Sequence, residues 1–221
     1  MKRTLAAAVG VLLLGTLVAR ADLVVNGNFS SGNSGFSTDY TLVPANGTVS
    51  TQPGQYGLTD NPATGFTNGF ASYTDHTGDA AGLMLLADGA AATYNVWSEV
   101  ISVSPGTTYS FSSWVASADA LNTATLSLFV NGVATGSSFA APTTAGVWAQ
   151  WQQTFVTAPS VTSITLSIRD VNPTPQTAGN DFTLDDISLN GPANGVPEPA
   201  TLTLLATGCA AIFTRRRRWL R

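Results

Sequence analysis

Between residues 22 and 195, carboxyl groups are the most frequent side chains that could act as general acids or general bases. Glycoside hydrolysis needs two of them at a defined separation, which a sequence does not reveal. The single histidine, His76, stands between Asp75 and Asp79, whereas a zinc or catalytic site needs more partners of the right kind. We therefore predict that the protein is not an enzyme, with a glycan hydrolase as the weaker alternative. The acids available to such a hydrolase are Asp60, Asp75, Asp88 and Glu99.

A second group of useful side chains lies on predicted strands, on the face turned away from the core. Tyr109 to Ala116 alternates in a way that places Trp114 opposite the aliphatic face. The same alternation predicts that Gln152 and Arg169 also point away from the core on later strands. An indole face suits the C–H side of a sugar ring, and polar groups fix the hydroxyls. If these faces form one concave surface, Trp114, Gln152 and Arg169 make a sugar-binding site.

An alternative arrangement of the same residues stays open. In it the long loop from Asn46 to Thr77 covers Trp114, which becomes part of a satellite cluster beside the main core. Arg169 then pairs with Asp170 or with another acid. The remaining tryptophans of the middle region are assigned to packing in the core or at its edge. They are Trp97, Trp148 and Trp151.

The segments that carry these residues predict an all-β fold. Apolar and polar residues alternate over short runs that are separated by turn residues such as Asn131-Gly132, a hairpin signal. No run of ten or more residues between the two termini shows a convincing helical period. Strands at this spacing indicate a jelly-roll β-sandwich. The main strands are predicted at 83–86, 96–103, 109–116, 124–130, 148–156, 163–169 and 181–190.

The charge distribution excludes one class of partner. Arg169 is the only Lys or Arg between residues 22 and 195, a stretch that contains 12 acids, so its net charge is about −11. A domain with a single cation cannot neutralise several phosphates, and we predict no nucleic-acid binding. The only cysteine, Cys209, lies in the C-terminal tail. The fold therefore rests on its core and not on an internal disulfide.

The C-terminal tail has three parts in a fixed order. Pro197-Glu198-Pro199 is followed by an apolar run from 200 to 214 and then by an arginine cluster. As a helix, a run of 15 residues is roughly 22 Å long, which is short for a membrane span. Arginines directly after an apolar run keep that end in the cytoplasm. The cluster consists of Arg215, Arg216, Arg217 and Arg218.

This order of parts resembles the PEP-CTERM sorting signal of Gram-negative bacteria. In that family a membrane transpeptidase, exosortase, reads the Pro-Glu-Pro box, the hydrophobic helix and the arginine cluster. The resemblance implies a sorting signal over 197–221, with a transmembrane helix at 200–214 and exosortase as partner. The alternative is an ordinary C-terminal anchor without processing. A linker at 191–196 precedes the signal.

The other end of the chain agrees with export. Lys2 and Arg3 precede an apolar stretch from Leu5 to Val18, and Ala19-Arg20-Ala21 has the small-x-small pattern of a cleavage site. We predict a helical signal peptide over 1–21 and a β-sandwich domain over 22–190.

Four segments of this domain resemble CenC-like carbohydrate-binding modules. They are Val25 to Gly32 with Gly35-Phe36, Val103 to Phe111, Trp148 with Thr154-Phe155, and Phe182 to Leu189. They occur in the family's order, and the resemblance implies a galactose-binding-like jelly roll and a carbohydrate ligand.

The same resemblance implies a structural calcium ion between the opening loop and the last strand. Calcium takes six to eight oxygen ligands. Asp185, Asp186 and Asn28 are the candidate ligands, whereas Ser30 stands where the family usually has glutamate. The alternative is a capped turn at a solvated acidic edge.

Taken together, the sequence predicts an exported protein with a carbohydrate-binding jelly roll. The C-terminal helix anchors it in the inner membrane before processing, after which it reaches the cell surface or the extracellular matrix of a biofilm. A structural or adhesive matrix protein that binds no glycan is the main alternative.

Overall fold

The structure is a computed structural model that describes residues 22–78, 82–172 and 179–192. It contains ten β-strands and one short helix within these ranges. They are β1 (Thr41–Leu42), β2 (Gln55–Thr59), α1 (Pro62–Gly65), β3 (Met84–Ala87), β4 (Asn95–Ser102), β5 (Thr108–Ser117), β6 (Thr125–Val130), β7 (Val133–Ala140), β8 (Ala149–Val156), β9 (Ser163–Asp170) and β10 (Phe182–Asn190).

The strands form two sheets. The six-stranded sheet has the order β1-β2-β3-β10-β5-β8, and the four-stranded sheet has the order β4-β9-β6-β7. All neighbours are antiparallel except the short pair β1 and β2. From β3 to β6 successive strands alternate between the sheets, as they do again from β7 to β10. This topology confirms the all-β prediction and is typical of a jelly roll.

The core lies between the inner faces of the two sheets. On β5 the predicted phase is correct, because Tyr109, Phe111 and Val115 are all buried. Trp97 and Trp151 are also fully buried core residues, as predicted. Burial of a large side chain contributes about 1.5–3 kcal/mol, so this continuous apolar layer is the main support of a domain without a disulfide.

Most predicted strands agree with the structure to within two residues, but β7 was not predicted as a strand. Its sequence is rich in Gly, Ser and Ala, and most of its residues are exposed. The hairpin that leads into it was predicted correctly. Asn131 and Gly132 both have positive φ (51° and 77°), as a tight hairpin turn requires. Val130 and Val133 pair across this turn.

Strand β10 contains a bulge between Asp185 and Ser188. Asp186 occupies it with a positive φ of 45°. The opening loop packs directly against the bulge, since the Ile187 amide donates to the Gly27 carbonyl at 3.0 Å. A Cβ at Gly27 would lie 1.9 Å from the Ile187 carbonyl oxygen, so only glycine fits there.

A long connection between β2 and β3 lies over the outer face of the six-stranded sheet. It begins with α1, where the Asn61 side chain accepts from the Ala63 amide and Pro62 takes the first turn. Further along, Phe66 and Phe70 pack on Leu86 and Ala118 as a second, small apolar cluster. This connection carries the histidine of the chain to the middle strands of the sheet.

Several predicted segments fall outside the described residues. They are the signal peptide at 1–21, the end of the linker from 193 onward, the Pro-Glu-Pro box, the transmembrane helix at 200–214 and the arginine cluster. Within the described ranges, no helix has the length and apolar character needed to cross a membrane.

Candidate functional site

Trp114 lies near the middle of β5 and points away from the main core, as predicted. It pairs with Asp185 on β10 and with Gln150 on β8, so these three side chains form one row on the outer face of the sheet. The His76 ring lies flat against Trp114, with centroids 3.8 Å apart and an angle of 15°. The long connection therefore covers one face of the indole, as the alternative interpretation proposed.

His76 is held in this position by both neighbouring aspartates of β10. Its backbone amide donates to Asp185 Oδ2 at 2.9 Å. Its ring atom Nδ1 lies 2.7 Å from Asp186 Oδ2. The bulge makes this possible, because it turns two consecutive side chains of one strand toward the same partner. Asp185 and Asp186 thus fix the imidazole over Trp114.

Two more aromatic rings complete this group. Tyr73 and Trp148 meet edge to face at 5.8 Å, and Trp148 meets His76 in the same way at 6.0 Å. Trp148 Nε1 donates to the Thr74 carbonyl at 3.2 Å. The Tyr73 hydroxyl lies 3.0 Å from Thr183 Oγ1 on β10. We call Tyr73, His76, Trp114 and Trp148 the aromatic cluster; all four side chains are half-buried.

Gln152 lies on the same outer face as the aromatic cluster. It pairs with Ser112 on β5, one row away from Trp114, and its side chain is exposed. Its amide donates to Gln150 Oε1 at 3.0 Å. Gln150 is exposed as well and stands directly beside Trp114. The structure therefore places aromatic rings and amide groups side by side, as the sequence predicted for Trp114 and Gln152.

Arg169 is not part of this face. It lies on β9 in the four-stranded sheet, and its guanidinium lies over the Phe129 ring at 4.1 Å. The prediction that Arg169 shares a concave surface with Trp114 is wrong, because strand phase shows which side faces outward but not which sheet. The alternative pairing with Asp170 is also wrong. Asp170 points inward, is 2% exposed and accepts from the Asn180 amide.

The three predicted calcium ligands all make hydrogen bonds to other protein groups. Asn28 Oδ1 accepts from the Ser30 amide and hydroxyl. Asn28 and Asp186 line a common cleft beside the opening loop, whereas Asp185 turns to His76. No group of three or more His, Cys, Asp or Glu residues suited to a metal ion occurs in the described ranges. Asp185 and Asp186 both contact His76 in this structure, and calcium stays a prediction.

Burial alters the acid chemistry of Asp185. Its side chain is 1% exposed, and the loss of solvent raises its pKa to about 7, although two backbone amides donate to it. The charges of Asp186 and Asp75 act in the same direction.

A second group of acids lies at a cleft that the aromatic cluster does not line. Asp88, Asp119 and Asp181 line it together with polar residues of the loop between β1 and β2 and with Asn68 of the long connection. Burial, followed by the charge of Asp88, raises the pKa of Asp181 to about 8. Burial raises the pKa of Asp88 as well, and Thr51 donates to it at 2.8 Å. Asp88 therefore lies at this cleft with Asp119 and Asp181, whereas the other acids considered for a hydrolase, Asp60, Asp75 and Glu99, do not line it.

Comparison with known proteins identifies the tail. Residues 195–218 match the PEP-CTERM protein-sorting motif. This match covers the predicted Pro-Glu-Pro box and arginine cluster. A search of curated proteins found no match to the chain.

Solved structures with a similar fold include several sugar-related proteins. A family 16 carbohydrate-binding module is 16% identical, with a TM-score of 0.45 over 76% of this chain and 98% of its own. A tandem of CBM22 domains from Paenibacillus barcinonensis Xyn10C is 14% identical, with a TM-score of 0.48 over 82% of this chain and 48% of its own. The EclA C-terminal domain, a sugar-binding protein, is 15% identical, with a TM-score of 0.38 over 43% of this chain and 66% of its own. The chain thus spans slightly less than two thirds of the EclA domain.

The sequence analysis missed the part that His76 plays. It treated this residue only as a weak candidate for catalysis or zinc binding, and it treated Trp148 as packing. One signal was available, namely an isolated histidine between acids in a loop that was already expected to cover Trp114. The two aspartates that hold it were assigned to calcium on the family resemblance, and their contact with His76, 109 and 110 residues away in the chain, was not visible in the sequence.

Proposed function

We propose that this protein is exported, sorted by exosortase and delivered to the cell surface or extracellular matrix. The match of residues 195–218 to the PEP-CTERM motif carries this part of the proposal. Before processing, the apolar run at 200–214 anchors the chain in the inner membrane. Replacing Pro197 and Pro199 with alanine, followed by fractionation of cells with and without exosortase, tests it. The proposal fails if the variant reaches the surface as the wild type does.

We propose further that the β-sandwich domain binds a polysaccharide on the outer face of the six-stranded sheet. The aromatic cluster supports this, because four rings meet there beside two exposed glutamine side chains, Gln150 and Gln152. The exposed parts of these half-buried rings are apolar surfaces that a sugar can contact. The amides provide hydrogen-bond donors and acceptors for the sugar hydroxyls. Such a mixture is the usual lining of a sugar site.

One observation favours the alternative, a structural matrix unit without a ligand. His76 contacts one face of Trp114 at van der Waals distance, and three polar contacts of the 74–76 segment hold it there. A sugar ring cannot enter between the two rings. It would have to use the exposed edges of the cluster or displace the histidine.

Retention of the full-length protein, purified in detergent, on a panel of neutral polysaccharides separates the two functions. Trp114→Ala and Trp148→Ala should each weaken retention, whereas Tyr94→Ala should not. Tyr94 is a matched control because it is 47% exposed and adjoins β4 in the other sheet. No retention on any glycan, with an intact fold, favours the structural unit.

The same experiment includes calcium. Retention and thermal stability are compared in calcium and in chelator, which tests the predicted structural ion separately from the glycan. A shift in the melting temperature that Asp186→Asn abolishes supports a bound ion near the opening loop.

A further inference from the structure

Among the described residues, Arg169 is a cation without a carboxylate partner, in a strongly acidic domain. It is the only Lys or Arg between residues 22 and 192, and the described part of that range contains 11 acids. Yet within the described ranges no carboxylate oxygen lies within 4.0 Å of its guanidinium nitrogens. Its neighbour in sequence, Asp170, points into the interior.

The guanidinium of Arg169 is nevertheless held in a defined orientation. Its Cζ lies over the Phe129 ring, 4.1 Å from the ring centroid. Its Nε donates to Asn95 Oδ1 at 2.8 Å. Asn95 is itself fixed, because its backbone amide and its side-chain amide both donate to Asp39 Oδ2 at 2.8 Å. Asp39 therefore orients the Asn95 oxygen toward the arginine without contacting it.

This arrangement uses one of the five N–H donors of the guanidinium. Among the described residues, the two terminal nitrogens have no hydrogen-bond partner. They carry four N–H groups in the planar fork that matches a carboxylate in bidentate fashion. A fork that is already oriented loses little conformational entropy when it binds such a group.

The surrounding surface leaves this fork accessible. Asn95 and Ser127 flank Arg169 in the register of the sheet, and Ser167 lies beside Phe129. Ser127 and Ser167 are short and buried, so they do not extend over the Arg169–Phe129 pair. Arg169 and Phe129 are both half-buried, not covered.

The geometry points to a second binding site, centred on Arg169 and supported by Phe129 and Asn95, that takes the carboxylate of an acidic sugar in a polysaccharide. This inference rests on the proposed function only in that the partner is a glycan. Its surface is on the opposite sheet from the aromatic cluster, so the two sites can be tested separately. The chemistry required is a planar anion with two oxygens on one edge, as in a uronic acid.

The test measures binding of the full-length protein, purified in detergent, to polygalacturonate and to its methyl ester. The two polymers share a backbone and differ in the carboxylate charge, and dextran sulfate controls for charge alone. Work near 0.15 M salt limits repulsion by the acidic domain, since the screening length there is about 8 Å. We expect polygalacturonate to bind roughly tenfold more tightly than its ester, the size expected of a charge-assisted bidentate contact.

Variants locate the contact. Arg169→Lys keeps the charge and removes the fork, so it should weaken polygalacturonate binding about fivefold or more while leaving the melting temperature near that of the wild type. Phe129→Leu, which removes the ring but keeps an apolar side chain, should weaken it less. Val156→Ala, at a 65% exposed position on the six-stranded sheet outside both proposed sites, should leave it unchanged.

Three results would overturn the inference. They are equal binding of the acid and its ester, equal binding of dextran sulfate, and a loss of binding with Trp114→Ala but not with Arg169→Lys. Failure on neutral glycans combined with binding of polygalacturonate would reject the aromatic cluster as a site while supporting Arg169.

Discussion

The domain should become less stable as the pH rises from 5 to 8, because it buries several acids without a cation beside them. Asp181 is 6% exposed, and its pKa in the folded protein is about 8. The unfolded chain has the ordinary value near 4. Between these two values the folded state holds one proton more than the unfolded state. Stability from this group is therefore complete below pH 4 and is lost as the pH rises to 8.

The magnitude follows from linkage. One excess proton in the folded state lowers the free energy of unfolding by about 1.4 kcal/mol per pH unit, so the buried pair Asp181 and Asp88 removes on the order of 3 kcal/mol between pH 5 and 7. Asp185, with a pKa of about 7, acts in the same direction. Burial also raises the pKa of Asp88 and Asp170. A domain of this size has roughly 5–15 kcal/mol in total, so the loss is measurable.

The assay is urea unfolding followed by tryptophan fluorescence at pH 5, 6, 7 and 8, at constant ionic strength and in chelator. Asp181→Asn keeps an oxygen that accepts from the Gly89 amide, a contact of 3.1 Å in the wild type, but cannot titrate. It should therefore flatten the pH dependence. Asp60→Asn removes one charge at an exposed position and is the matched control. A midpoint that rises from pH 5 to 8, or an unchanged slope in Asp181→Asn, refutes the reasoning.

Two further predictions concern the segments that meet at the β10 bulge. Gly27→Ala should lower the free energy of unfolding by about 2 kcal/mol or more, since its Cβ would overlap the Ile187 carbonyl at 1.9 Å. Urea midpoints measure this loss. Gly32→Ala is the control for the loss of glycine alone, because Gly32 has positive φ but open space around it. His76→Ala should uncover Trp114 and increase acrylamide quenching of tryptophan fluorescence. In a Trp114→Phe background, the same His76→Ala change should produce no such increase. Equal quenching with and without the histidine contradicts the observed stacking of His76 on Trp114.

Much of the fold followed from the sequence because strand phase is a local property. Alternation on β5 correctly separated Phe111 from Trp114, and the Asn131-Gly132 turn was visible as a dipeptide. The pairing of strands was not visible, since it depends on contacts far apart in the chain. For that reason Arg169 was assigned to the wrong sheet. An edge strand such as β7, with small and exposed residues, carries no alternation to detect.

The candidate site was harder to predict than the fold because two of its features depend on a bulge. A regular β10 would turn Asp185 and Asp186 to opposite faces, and a metal site was one reasonable use of two acids next to a glycine-rich loop. The positive φ at Asp186 changes this geometry and lets both acids bind His76. The bulge was not visible in the sequence, because the position with positive φ is occupied by Asp and not by glycine, the residue that adopts positive φ most readily.

The buried acids that reduce stability at neutral pH also connect segments that lack regular structure. Asp181 accepts from the Gly89 amide after β3, and Asp170 at the end of β9 accepts from the Asn180 side chain before β10. An apolar residue could fill either position but could not accept a hydrogen bond from these N–H groups. A buried donor without a partner lowers the free energy of unfolding by about 1–3 kcal/mol. At Asp181, whose pKa is about 8, the protonated acid satisfies the donor without placing a charge in the interior at neutral pH. The same end of the sandwich therefore gains order at the expense of stability at higher pH.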